Sequence, residues 1–372
     1  MKKRKIKIGI AVCLAACLLF VFGRSYYQKK QFDKYDGHGF DYMHGYSSTD
    51  FTGYHVYDGE KLAKLDHKAS LWIEDEKDMP VLDGAEACYP VYCAVAKSIY
   101  KDIDTIEKKA HAEIEKYYTN PDKVDYKDWY DNNGIVVSFT NSEVGYTRLI
   151  NGDADLFFGA RPSDEDKQTA AEEGKTIIST PIGSEAFVFF VEEDNPVDSL
   201  TADQLRGIYH GDITNWKDVG GKNQEIIAFQ RPEEAGSQVM MKYFMGDVKL
   251  KKPDTVEMED SMAGVISTVK QYNNEAGALG YTFRYFLTGL QQEKGVKMLS
   301  VNGIAPTPEN ISNDKYPIII PFVCAKIEGN KNPNTDKVID FLRSADGQEL
   351  ITKTGYGPLL ERFRKPITEN GR

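Results

Sequence analysis

Cysteine is scarce in this 372-residue chain: there are five, and two of them, Cys13 and Cys17, fall in an apolar N-terminal run. Cys88, Cys93 and Cys324 remain, an odd number that leaves at least one thiol unpaired within the chain and excludes a disulfide framework as the source of stability. Cys88 and Cys93 stand close together in an apolar run and read as small buried residues, a strained local bridge being the alternative. Histidine is equally sparse, six in all. His38, His44, His55 and His67 share one segment, but no Cys or His pair has a recognised ligand spacing, so they read as solvated side chains and no metal is expected. His111 and His210 stand apart from any nucleophile, and the G-x-S-x-G, H-E-x-x-H, P-loop and C-x-x-C patterns are all missing. Neither enzymatic activity nor a cofactor is expected. No internal repeat is evident.

Acidic residues are missing from positions 1–24, where Lys2, Lys3, Arg4, Lys5 and Lys7 precede an uncharged stretch from Ile8 to Gly23. That is the pattern of an export signal or a membrane anchor. As a helix the stretch spans about 24 Å at roughly 1.5 Å per residue, slightly less than a bilayer core of about 30 Å, and Lys7 and Arg24 can snorkel to close the gap. In a competing reading, Leu14-Ala15-Ala16-Cys17 resembles a bacterial lipoprotein cleavage box, with Cys17 lipidated. The apolar run from Leu18 to Phe22 continues past Cys17 and favours an uncleaved N-terminal transmembrane helix. Both readings put the rest of the chain on the extracellular side of the cell membrane. Beyond residue 24 there are 40 basic against 57 acidic residues, a net charge of −17, which argues against a nucleic-acid partner.

The apolar share, 41%, is that of a globular protein long enough for two lobes. Residues 25–70 are rich in Tyr, Gly, Asp and His without a sustained period, and read as a stalk or irregular extension. From Leu71 short apolar runs alternate with helical patterns. A helix is expected near 91–118, a strand at 134–139, a capped helix at 142–151, a strand at 154–158 and an acidic helix at 163–174. This alternation predicts an α/β sheet. Two β-rich runs within 176–191, ended by Asp194-Asn195-Pro196, suit a crossing between lobes. A capped helix at 199–205, a strand at 226–229, an amphipathic stretch at 261–271 and a strand at 277–282 follow. An apolar β run at 316–325 and a helix at 335–342 complete the pattern.

A site for a small anion needs backbone N–H groups at a helix start, short hydroxyl side chains and an Arg that grips two oxygens. Three segments hold parts of this apparatus: Leu82-Asp83-Gly84-Ala85-Glu86-Ala87, Gly159-Ala160-Arg161-Pro162-Ser163, and Arg231-Pro232-Glu233-Glu234-Ala235-Gly236-Ser237. Their order, and above all the run from Leu200 to Gly221 (LTADQLRGIYHGDITNWKDVGG), resembles the phosphate-binding proteins of high-affinity phosphate ABC importers. Leu149 to Asp155, Gly277 to Tyr281 and Tyr316-Pro317-Ile318 are similar to further elements of that family, and the resemblance covers about residues 80–360.

The resemblance implies a type II periplasmic-binding-protein fold, two α/β lobes joined by crossing strands and closing on a ligand. Residues 71–187 plus 300–372 would form lobe 1 and 188–299 lobe 2. It further implies that Arg231, with Ala235, Gly236 and Ser237, faces Gly84, Ala85, Glu86, Ser142 and Arg161 across a cleft that binds phosphate or another small oxyanion for an ABC transporter permease. The family pattern is broken where Ala85 and Glu86 replace Ser and Thr, where Ala235 replaces Ser, and where Gly159-Ala160-Arg161 replaces Ser-Ser-Arg. Each lost hydrogen bond to a charged group costs about 1.5–3 kcal/mol, before any repulsion from Glu86 or Glu234. Trp216 and Tyr281 read as packing residues. The alternative reading is a membrane-anchored sensor or interaction module that keeps the fold and has a lost or altered ligand site.

Overall fold

The structure, a computed structural model, describes residues 51–109, 135–138, 140–233, 235–252, 265, 266, 269, 277–292 and 294–369. The expected anchor over 1–24, Cys17, His38, His44, His111 and Glu234 lie outside them. Among the described residues no helix is long and apolar enough to cross a membrane.

The first part of the chain forms β1 (Leu82–Gly84), α1 (Tyr89–Ile99), α2 (Ser142–Asn151), β2 (Leu156–Gly159), α3 (Asp164–Glu172) and the long β3 (Ile177–Glu192). There follow β4 (Ser199–Leu200), α4 (Ala202–His210), β5 (Ile227–Ala228), α5 (Gly236–Met245), β6 (Ala278–Phe283), β7 (Val296–Met298) and β8 (Ser300–Val301). The chain ends with α6 (Pro308–Ser312), β9 (Ile319–Ile327), α7 (Thr335–Arg343), α8 (Ala345–Thr354) and β10 (Ile367–Glu369).

Helix boundaries follow local chemistry. Thr201 and Gln204 exchange side-chain-to-backbone bonds in a capping box at the start of α4, and Gly211 ends that helix at φ 98°. Asn141 caps α2 by accepting from Val144 N, and Gly152 ends it at φ 86°. The helix expected over 91–118 is interrupted: Tyr100 turns extended, and the amides of Ile73 and Lys101 tie residues 99–101 to an edge contact with Ile73. A second helical stretch covers 103–109. That edge pairing outweighs a helical period that the sequence alone shows as continuous.

The main sheet runs β1-β2-β9-β3-β6-β5, with β10 and β7 also paired to β3. β3 is shared. Its residues from Ile177 to Ala186 pair antiparallel with β9, and those from Phe187 to Val191 pair with β6. The passage between the two halves therefore falls at Phe187, inside the stretch expected to cross. Phe187, Phe189 and Phe190 are fully buried there, so β3 from Phe187 onward is apolar on both faces, as a strand covered on both sides requires.

Near residue 300, β8 is a ladder partner of β4, and Val301 and Ile304 pair with each other. The chain comes back at 316–318, where Phe187 N donates to Ile318 O (3.0 Å) and Tyr316 Oη to Phe187 O (3.2 Å). Residues 51–70, in the segment expected as a stalk or irregular extension, pack against the rest of the protein. Phe51, Val56 and Leu62 are buried, Lys97 Nζ donates to Val56 O (2.6 Å), and Ser70 N donates to Asp346 (2.8 Å). This segment packs without regular secondary structure, so its apolar residues carry no period to read.

Cys88, Cys93 and Cys324 are free and buried, as expected, and Trp216 is a packing residue whose indole N–H donates to Gly277 O (3.0 Å). His55 lies against Tyr89 Oη (2.9 Å), and His67 against Asp346 (3.0 Å); both partners are protein groups.

Glu185 is buried at the junction, its carboxylate accepting from Ala186 N (2.7 Å) and Tyr285 N (3.2 Å). Burial raises its pKa to about 7, against the pull of Arg284. Because the folded value exceeds the unfolded one, the folded state holds the proton more tightly, and stability falls as pH rises from the ordinary carboxylate range to about 7. The urea midpoint of Glu185→Gln should lack this part of the fall, narrowing its loss between pH 5 and pH 8 relative to the parent.

Candidate functional site

Arg231 follows β5 and precedes α5. Its side chain is buried, and Nη1 donates to Ser237 Oγ (3.1 Å). Ser237 is the second residue of α5, and the residue before that helix, Ala235, has no side chain able to cap it. The first amides of α5 therefore start a helix inside the protein without a side-chain cap from the residue before it, and the positive end of the helix dipole favours a negative group there. Gly236 and Ser237 are both buried.

The opposite wall is built by β1, α2 and β2. Ser142 opens α2, and Ala160 follows β2. A Cβ built on Gly236 would lie 2.5 Å from Ser142 Oγ and 3.3 Å from Ala160 Cβ, so the two halves of the sheet meet at this glycine with no room for a larger residue. Ala85 adjoins the same wall: a Cβ on Gly159 would lie 3.6 Å from Ala85 Cβ. Arg231, Ala235, Gly236, Ser237, Ser142 and Ala85 are thus gathered about the line where the halves touch.

Three expected residues behave differently. Gly84 turns inward: a Cβ there would lie 2.5 Å from Phe158 O and 2.8 Å from the Tyr92 ring. Its N–H is taken by Asp83 Oδ1 (2.7 Å), and the next amide, Ala85 N, donates to Phe158 O (2.9 Å). This loop needs glycine for close packing within its own half, and neither amide is offered across the cleft. Glu86 opens a single turn of 3-10 helix before α1 with its Oε1 buried, so the loop brings a carboxylate inside rather than turning it to solvent. Arg161 is claimed by the C-terminal strand, where Nε and Nη2 donate to the two oxygens of Glu369 at 2.7 and 2.8 Å. Two prongs of its fork are taken by a carboxylate of the protein. Glu233 is exposed and paired with Lys242.

A buried ion pair that sequence reasoning missed fixes this wall. Asp83 is fully buried, with Oδ2 accepting from Arg148 Nε (2.7 Å) and Oδ1 accepting from Thr140 Oγ1 (3.1 Å). Burial pushes its carboxyl up, and Arg148, Gly84 and Thr140 pull it back. The pair ties the end of β1 to α2 and so holds Ala85 beside Ser142. The Asp-Gly pair was visible, but its partner is 65 residues away, beyond any local pattern.

The arrangement offers a guanidinium, helix-start amides and two hydroxyls at the meeting line of two halves of one sheet. This is chemistry for holding a small anion without covalent bonds.

A family model described as the PBP superfamily domain matches residues 115–346. The phosphate-binding protein PstS of Bacillus subtilis is 26% identical over 191 residues, 51% of this chain and 60% of that protein's own length. That of Borreliella burgdorferi is 24% identical over 230 residues, 61% of this chain and 80% of that protein. Among solved structures, a Clostridium perfringens protein described as a phosphate ABC transporter substrate-binding protein with bound phosphate superposes with a TM-score of 0.50 at 22% identity, over 75% of this chain and 99% of that one. The likeness shows a shared mixed α/β fold. With more than half of its length matched by the family model, the chain belongs to the PBP superfamily.

Proposed function

We propose that this chain is an extracellular solute-binding protein that captures inorganic phosphate between its two halves and presents it to the permease of an ABC importer. The observation that carries the reading is the buried Arg231 side chain, held on Ser237 at the start of α5, a helix start whose Gly236 lies against Ser142 of the other half. A phosphate oxyanion placed there would meet a fixed positive charge, the N–H groups of Gly236 and Ser237, and the Ser142 hydroxyl. Closure of the halves would exclude water and strengthen each of these contacts. The names of the relatives support phosphate as the anion and an ABC transporter as the destination.

The chain binds its solute without altering it and without a cofactor. The N-terminal apolar segment tethers it to the outer face of the cell membrane, either as an uncleaved helix or through lipid on Cys17. Calorimetric titration of the full chain with phosphate tests the reading. It predicts saturable one-to-one binding, and absence of both heat and a thermal shift would remove phosphate as the ligand.

Two substitutions separate ligand contacts from scaffold. Gly236→Ala should weaken phosphate binding roughly tenfold or more, because its methyl would lie 2.5 Å from Ser142 Oγ and 3.3 Å from Ala160 Cβ and so push apart the walls that meet there; titration of the purified variant reads this. Arg161→Ala should instead lower stability by about 3 kcal/mol in urea denaturation, since it leaves the Glu369 carboxylate buried without this guanidinium, while phosphate affinity stays within about twofold of the parent.

A further inference from the structure

The main chain of Arg231 sits two residues beyond the last ladder bond of its strand, Phe229 N to Leu279 O (3.0 Å). Such a position is ordinarily loose, yet a guanidinium that grips an anion has to be held within a fraction of an ångström of its working place. The residue is instead seized by side chains. Arg231 N donates both to Tyr281 Oη (3.1 Å) and to Gln238 Oε1 (3.2 Å), and Tyr281 Oη donates to the same Gln238 oxygen. The other end of Gln238 is fixed as well: Nε2 donates to Gln230 Oε1 (3.3 Å), and Gln230 Nε2 donates to Lys251 O (2.8 Å).

Gln230, Arg231, Gln238 and Tyr281 are all buried, where a hydrogen bond is neither exchanged with water nor cheaply lost. The network also has a direction. Gln238 lies one residue after Ser237, whose hydroxyl accepts from Arg231 Nη1, so the first turn of α5 grips Arg231 at its main chain and at its guanidinium together. Tyr281 lies in β6 opposite Phe189 of β3, and its ring packs on Phe187 at the junction of the halves. Tyr281 therefore ties Arg231 to the strand that both halves share.

We infer that Gln238 and Tyr281 are positioning residues for anion capture: they touch no ligand themselves, and they hold Arg231 where its guanidinium meets the start of α5. The inference rests on the reading of Arg231 as the anion-gripping residue. A phenol and an amide oxygen are used for this because Arg231 precedes Pro232, which keeps its backbone extended and directs its N–H sideways into the core.

The test uses the full chain and the variants Tyr281→Phe, Gln238→Met and the double variant. Tyr281→Phe keeps the ring packing, and Gln238→Met keeps most of the side-chain volume, so thermal unfolding midpoints serve as a control for folding. In the ligand-free protein, hydrogen exchange at the Arg231 amide should accelerate at least about tenfold in each single variant. Phosphate affinity should fall about tenfold in each, as expected for one buried hydrogen bond. The double variant should be little worse than the poorer single, because both changes break the same shared contact. Unchanged Arg231 exchange in both single variants would overturn the inference whatever the ligand, and so would additive affinity losses. Failure of the parent chain to bind phosphate would count against the functional reading alone, because the exchange measurement needs no ligand.

Discussion

Arg231→Ala is expected to weaken phosphate binding by roughly 10²- to 10⁴-fold, the loss of two charge-assisted hydrogen bonds at about 1.5–3 kcal/mol each. The effect should be that large because Arg231 is only 4% exposed, where water substitutes poorly for its guanidinium and its field is weakly screened. Removal also deprives Ser237 Oγ of its donor, leaving that hydroxyl to reorient within the start of α5. Arg231→Lys keeps the charge but not the two-pronged geometry, and should recover only part of the loss. Calorimetry on the three proteins at one ionic strength, with far-ultraviolet circular dichroism to confirm folding, reads all of this.

Asp83→Ala should be the most destabilising of the substitutions considered, by about 3–5 kcal/mol. The substitution leaves the buried Arg148 guanidinium without this carboxylate and takes an acceptor from Thr140. The loss should show as a lower urea midpoint with little change in slope. Phosphate binding should weaken in parallel, because the same pair keeps Ala85 and Ser142 on one wall. Replacing both partners, as Asp83→Leu with Arg148→Met, should restore much of the stability, since no buried charge is then left uncompensated. Partial recovery of the midpoint without recovery of affinity would place the pair's role in the alignment of the site.

Much of this architecture was legible in the chain. The alternation of apolar runs and helical patterns revealed the α/β sheet, and the β-rich stretch at 176–191 marked the place where β3 passes from one half to the other. Arg231, Gly236 and Ser237 stand out as candidates because an anion site has a local vocabulary, a basic residue and small residues opening a helix, and all three lie within seven positions. What stayed hidden was fixed at long range. Arg161 looks like a site residue until Glu369 arrives from the far end of the chain. Asp83 looks like a loop residue until Arg148 reaches it. Tyr281 reads as a core aromatic, and it is one, but its hydroxyl holds Arg231 in place, which no spacing encodes. The segment 51–70 has apolar residues without a period, and only tertiary contact reveals what they pack on.

A structure of the full chain with phosphate bound tests the central claim most directly. Phosphate oxygens should lie within hydrogen-bonding distance of the Arg231 guanidinium and of the Gly236 and Ser237 amides, with Ser142 Oγ contributing from the other half. Phosphate bound elsewhere, or a cleft that stays empty at saturating phosphate with Arg231 still folded onto Ser237, would contradict it.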